Sequence, residues 1–92
     1  MRTLHLALLC SLLVPAAPAW SQASEEVARR LISEGVEAAR SRDWITARDR
    51  FQRAYEIQPL PLTLYNLGTA QEKTGLLVEA DRAYRIFLKE TV

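Results

Sequence analysis

Side chains able to make or break a covalent bond are scarce in this 92-residue chain. It holds one His, His5, and one Cys, Cys10. A zinc cage takes about four Cys, His or acidic ligands, and a nucleophile needs a base within hydrogen-bond reach. No catalytic residue, metal or cofactor is therefore expected. Carboxylates recur at short spacing in Glu34 with Glu37 and in Glu72 with Glu79. Nothing in the sequence around them supplies the desolvation that tunes a catalytic acid, so they read as surface charge. Arg40, Arg42, Arg48, Arg50 and Arg53 form a basic stretch, but Asp43, Asp49 and Glu56 are interspersed with them. That is the pattern of a solvated helix face laced with ion pairs. The whole chain carries +1, from 12 Lys plus Arg against 11 Asp plus Glu. So weak a field does not suggest a nucleic-acid or anionic-membrane partner. What remains is a binding protein rather than an enzyme.

The elements that position these residues begin after a leader. Arg2 precedes an apolar run from Leu4 to Val14, too short for a span of about 20 residues but the length of a secretory h-region, about 7 to 15. Pro15 and Pro18 break it, and small residues offer cuts after Ala19 or after Ala23. Residues 1–23 are thus expected to be a signal peptide, giving an exported chain, periplasmic or secreted, with no stable membrane insertion after cleavage. Cys10 lies in mid-run behind Leu8 and Leu9 rather than behind a small residue, so lipidation is not expected. Cleavage removes His5, Cys10 and Arg2. The mature chain is then neutral and lacks any disulfide, and packing alone must hold it.

Residues 24–92 read as four helices. Val27, Ala28, Leu31, Ile32, Gly35, Val36, Ala38 and Ala39 recur at three and four over the first, with Ser24 expected as its cap. Asp43 caps a second that carries Trp44, Ala47, Phe51, Ala54 and Tyr55 and stops before Pro59. Pro61 suits the first position of a third, which runs through Leu64, Leu67, Gly68 and Gln71 to a left-handed cap at Gly75. A fourth spans about Leu77 to Lys89, with Ala80, Ala83, Tyr84 and Phe87 on one stripe. No stretch alternates long enough for a strand, so the expected fold class is all-α.

The two helix pairs repeat. Gly35 and Gly68, Ala47 and Ala80, and Phe51 and Tyr84 are each 33 residues apart. A small residue lets one helix approach its neighbour closely, and the aromatic fills the space where the helices diverge. In this residue order the chain resembles the tetratricopeptide repeat (TPR), a helix-turn-helix unit of about 34 residues. Leu64, Tyr65-Asn66-Leu67-Gly68, Ala70, Gly75, Ala80 and Tyr84 carry the likeness in the second unit; Gly35, Ala47, Phe51, Ala54 and Pro59 carry it in the first. Departures are Arg42 where the family often has Gly, Leu31 and Leu64 where Trp is common, and Phe87 in place of a small residue.

The resemblance implies two units, at about 28–60 and 61–92, forming a short right-handed α-solenoid that binds a protein or peptide segment along the concave face of its first helices. Carried over position by position, that face comprises Arg29, Ile32, Ser33, Val36 and Arg40 from the first unit and Leu62, Tyr65, Asn66, Thr69, Glu72 and Lys73 from the second. Tyr65 reads either as an amphipathic anchor or as surface packing, and Asn66 either as a ligand-backbone partner or as a helix–helix bond. Ile32 and Val36 stand where the family's carboxylate-gripping members place polar residues, so no carboxylate clamp is expected. Two units are fewer than the three or so that usually suffice. Val78, Ile86, Phe87 and Leu88 on the fourth helix are therefore expected to seek a partner, pairing two copies as a homodimer. The remaining reading is an N-terminal structural fragment of a longer repeat protein, with no activity of its own.

Overall fold

A computed structural model describes residues 21–92. Residues 1–20 of the expected leader, with His5, Cys10 and the cut after Ala19, lie outside them. The described residues fold as four helices: α1 (Gln22–Arg40), α2 (Trp44–Ile57), α3 (Pro61–Lys73) and α4 (Leu77–Thr91). The all-α class holds, and each helix packs against the next in the order α1, α2, α3, α4.

The first helix starts three residues earlier than expected, at Gln22 rather than after a Ser24 cap. Ser21 is its N-cap, and the Ser21 hydroxyl accepts a hydrogen bond from the Ser24 N–H at 3.2 Å. Ser24, the expected cap, lies inside the first turn, because Gln22 and Ala23 are tolerated in a helix and Ser21 reaches a free donor before Ser24 is needed. A cut after Ala23 would remove this cap, whereas a cut after Ala19 would retain it. The second helix is capped as its sequence implies, with Asp43 Oδ1 accepting from the Thr46 N–H at 3.2 Å. Hydrogen bonding from the Thr46 side chain, then from its backbone, holds the Asp43 carboxyl below its ordinary 3.8, with a smaller contribution from Arg50. A depressed folded-state pKa adds stability that is complete above about pH 5 and is lost as pH falls past the ordinary value and through the lowered one. The stability gap between the wild type and Asp43→Asn, whose cap does not titrate, is therefore expected to shift on acidification through that window and to stay flat above pH 5. Urea titrations at several pH values measure it.

The turns after α1 and α3 are the same turn. Arg42 N–H reaches the Ala39 carbonyl at 3.0 Å and Asp43 N–H the Ala38 carbonyl at 2.8 Å; Gly75 N–H reaches Glu72 at 3.1 Å and Leu76 N–H reaches Gln71 at 2.8 Å. Both are Schellman caps, which need a left-handed residue at the position after the C-cap. Gly75 supplies it at φ +86° and Arg42 at φ +60°. A side chain in that region is strained by about 1–2 kcal/mol, while glycine costs about 0.5–1 kcal/mol in chain entropy. Arg42→Gly is accordingly expected to stabilise the chain by roughly 0.5–1 kcal/mol, seen as a higher urea midpoint. A lowered midpoint would show that the Arg42 side chain does more than occupy the turn.

The core runs between the pairs. Ala47 and Phe51 of α2, Leu64, Leu67 and Ala70 of α3, and Ala83 of α4 form one buried cluster. Gln71 is buried among them at 8% exposure, and its Oε1 has no hydrogen-bond partner. An orphaned buried acceptor costs about 1–3 kcal/mol. Gln71→Met keeps the shape and removes the acceptor, so it is expected to raise stability by about 1 kcal/mol. An unchanged or lower melting point would mean that water already reaches this amide. The fourth helix continues to Thr91, two residues past the expected end, with no residue there to stop it and the Thr91 hydroxyl donating to the Phe87 carbonyl at 2.7 Å.

Candidate functional site

The cleft between α1 and α3 is the one a resemblance to repeat proteins would single out. Val36, Ala39 and Arg40 from α1, Trp44 and Phe51 from α2, and Asn66 and Thr69 from α3 line an open depression of about 310 Å³. Its floor is apolar because Phe51 reaches under α1. A Cβ on Gly35 would stand 2.7 Å from the Phe51 ring, so only glycine lets the ring lie there. Its polar contributions are the Arg40 guanidinium, the Asn66 amide and the Thr69 hydroxyl. The Thr69 hydroxyl donates to the Tyr65 carbonyl at 3.2 Å, and Tyr84 Oη lies 3.3 Å from the same hydroxyl. The depression can therefore take an apolar side chain while Asn66 and Arg40 address polar atoms of a backbone. Apolar lining with a few convergent polar groups is the ordinary make-up of a ligand site.

The structure gathers some of the sequence-derived residues and disperses others. Val36, Arg40, Asn66 and Thr69 share that depression. Tyr65 and Glu72 face a second one, with Tyr84, Phe87 and Leu88. Lys73 joins Arg42, Asp43, Trp44, Ile45, Arg48 and Thr74 around an open hollow of about 550 Å³ beside the two Schellman turns, its Nζ 5.8 Å from the centre of the Trp44 ring. Arg29 and Ser33 are exposed, Leu62 is exposed at 67%, and Ile32 is half-buried; none of the four lines these depressions. Ala39 and Trp44 were not among the expected groove residues. Their positions along the helices show only that they are part-buried, and the α1–α3 gap is what exposes their remaining surface.

The four apolar residues of α4 do not form one patch. Val78 is 71% exposed, and Phe87, nine residues on, lies about half a turn around the helix from it. Ile86 packs against the core cluster and lines a depression with Tyr55 of α2, Phe87 packs its ring on Tyr65, and Leu88 stands 56% exposed.

The basic stretch is largely paired. Arg50 lies 3.6 Å from Glu34 across α1 and α2 and also meets Asp49; Arg53 stands 3.8 Å from Asp49 and Arg40 3.7 Å from Glu37. These are exposed pairs, worth about 0–1 kcal/mol each. Arg48 instead donates to the Thr74 hydroxyl at 2.8 Å, tying α2 to the turn after α3. Among the described residues no three His, Cys, Asp or Glu side chains gather in the manner of a metal site, and no helix is long and apolar enough to cross a membrane. Compared with protein-family models, curated proteins and solved structures, the chain matches none.

Proposed function

We propose that the chain is an exported interaction module of the tetratricopeptide-repeat type, holding an extended peptide or protein segment in the cleft between α1 and α3. The α1–α3 depression carries this reading, with its apolar floor of Val36, Ala39, Trp44 and Phe51 and its polar groups from Arg40, Asn66 and Thr69. Two further features support the repeat. Equivalent Schellman turns lie 33 residues apart, and Gly35 meets Phe51 as Gly68 meets Tyr84. Two units of right-handed solenoid would present α1 and α3 side by side on the inner surface, and the binding segment would lie across both.

Selection from a random peptide library, followed by isothermal titration of the selected sequences, tests this. Affinity is expected to fall at least tenfold in Asn66→Ala and in Val36→Glu, which line the cleft, and to be unchanged in Glu90→Gln on the exposed end of α4. Selected peptides indifferent to both cleft variants would place the binding surface elsewhere. The export part of the proposal rests on the leader, and N-terminal sequencing of protein from the producing cell tests it: a start at Trp20 or Ser24 is expected, and an intact Met1 overturns it.

A further inference from the structure

A second depression, of about 400 Å³, lies on the α3–α4 pair, lined by Tyr65, Glu72, Tyr84, Phe87 and Leu88 and by no residue of α1 or α2. The Tyr65 ring lies 5.6 Å from that of Tyr84 and 5.1 Å from that of Phe87, tilted by 50° to each. Tyr65 is 43% exposed, and the other two rings are half-buried, so the cluster keeps π surface open to solvent. One carboxylate, Glu72, lines the depression, and no Lys or Arg does.

The internal repeat shows how unusual this lining is. Thirty-three residues earlier, the same positions are Ile32, Ala39, Phe51, Ala54 and Tyr55. There the surface is largely apolar, and α3 covers its α2 side, leaving Phe51 at 3% and Ala54 at 0% exposure, while Ile32 and Ala39 on α1 stay half-buried. In the second pair two of those positions become phenols and a third becomes a carboxylate. A helix like α3 laid on this face would partly desolvate the Glu72 carboxylate, whose counterpart Ala39 stands half-buried at the rim of the α1–α3 cleft, without a cation of this chain lining the depression to offset it. A second copy docked head to tail fares no better. Its α1 would bring Arg30, Glu34 and Glu37 to the places where α3 presents the buried Thr63, Leu67 and Ala70. The occupant this face suits brings a positive charge and something flat or apolar to lie against rings.

We infer that this depression binds an arginine side chain of a partner polypeptide, with the guanidinium over the Tyr65, Tyr84 and Phe87 rings, its methylenes against Leu88, and the Glu72 carboxylate as counter-charge. A planar, weakly hydrated guanidinium stacks on aromatic faces and forms a two-bond pair with a carboxylate. The site adjoins the α1–α3 cleft across the Tyr84–Thr69 contact but shares no lining residue with it, so arginine binding here can fail while peptide binding in the cleft holds.

Short alanine-based peptides carrying one central Arg, Lys, Leu or Glu, titrated into the full chain while the Tyr and Phe ring signals are followed by NMR, test the inference. The Arg peptide is expected to shift the Tyr65, Tyr84 and Phe87 rings saturably at millimolar concentration, with the Leu and Glu peptides at least tenfold weaker. Glu72→Gln and Tyr65→Leu should each weaken the Arg peptide at least fivefold, and added salt should weaken it too. Both substituted residues are exposed, and unchanged melting curves establish that the variants fold. Three results overturn the inference. One is a Leu peptide that binds as well as the Arg peptide, which would make the face an apolar dock. Another is Glu72→Gln binding the Arg peptide unchanged. The last is the ring signals shifting with protein concentration alone, which would make a second copy the occupant.

Discussion

Phe51→Ala is expected to leave the chain largely unfolded at 25 °C. Phe51 is 3% exposed, its ring lies under Gly35, and it belongs to the cluster that joins α2 to α3 and reaches Ala83 of α4. Truncating a buried Phe costs about 3–5 kcal/mol, through lost transfer energy and the cavity left behind. A domain of about 70 residues held by packing alone has about 3–5 kcal/mol in total, so the loss matches the reserve. Tyr84 occupies the equivalent place in the second pair but is only half-buried, and Tyr84→Ala should cost clearly less. Far-ultraviolet circular dichroism with urea titration measures both. A cooperative Phe51→Ala transition with a urea midpoint close to that of the wild type would mean that the cluster around α2 is not what holds the helices together.

The two helix-crossing glycines are expected to differ in their response to a methyl group. At Gly35 a Cβ would lie 2.7 and 2.8 Å from atoms of the Phe51 ring, which is 3% exposed and can yield only by giving up its packing in the core cluster. At Gly68 the nearest atoms are the Tyr84 ring at 2.9 Å and the Ala83 Cβ at 3.2 Å, and the half-exposed Tyr84 ring can swing outward. Replacing a helical Gly by Ala gains about 1 kcal/mol of helix propensity, and overpacking costs about 1–3 kcal/mol. Overpacking prevails at Gly35, so Gly35→Ala destabilises, while Gly68→Ala comes out near neutral. Gly68→Leu is a different case. A larger side chain cannot avoid Ala83, and α3 must move away from α4, so this variant should lose most of its stability. An unchanged melting midpoint for Gly68→Leu would show that the α3–α4 crossing does not run through Gly68.

Much of the architecture could be read from the order of residues, because local chemistry determines it. Asp43 caps α2, Pro61 opens α3, and Gly75 takes the left-handed turn after α3, each at the place its type implies. These are decisions made within one helical turn, so neighbours along the chain suffice. The spacing of Gly35 to Phe51 and of Gly68 to Tyr84 likewise carried the crossing of each pair. The start of α1 was less legible. Both Ser21 and Ser24 can cap, and the choice turned on which N–H was free, a matter of backbone geometry.

The depressions are another matter. Arg29, Ser33 and Val36 follow one another on a single helix, yet only Val36 lines the α1–α3 cleft, because the neighbouring helix covers one sector of α1 and not the next. Tyr65 and Phe87 are 22 residues apart in sequence, and nothing local brings their rings to 5.1 Å. The sequence by itself determined the helices, their caps and turns, and the recurrence of one helix pair 33 residues on. The tertiary structure alone decided which residues stand on the rim of a cleft, that Gln71 carries an orphaned acceptor, and that three rings and the carboxylate of Glu72 share one face. The physical reason is range: helix periodicity and capping act over three or four residues, whereas a site is made where helices distant in sequence leave a gap between them.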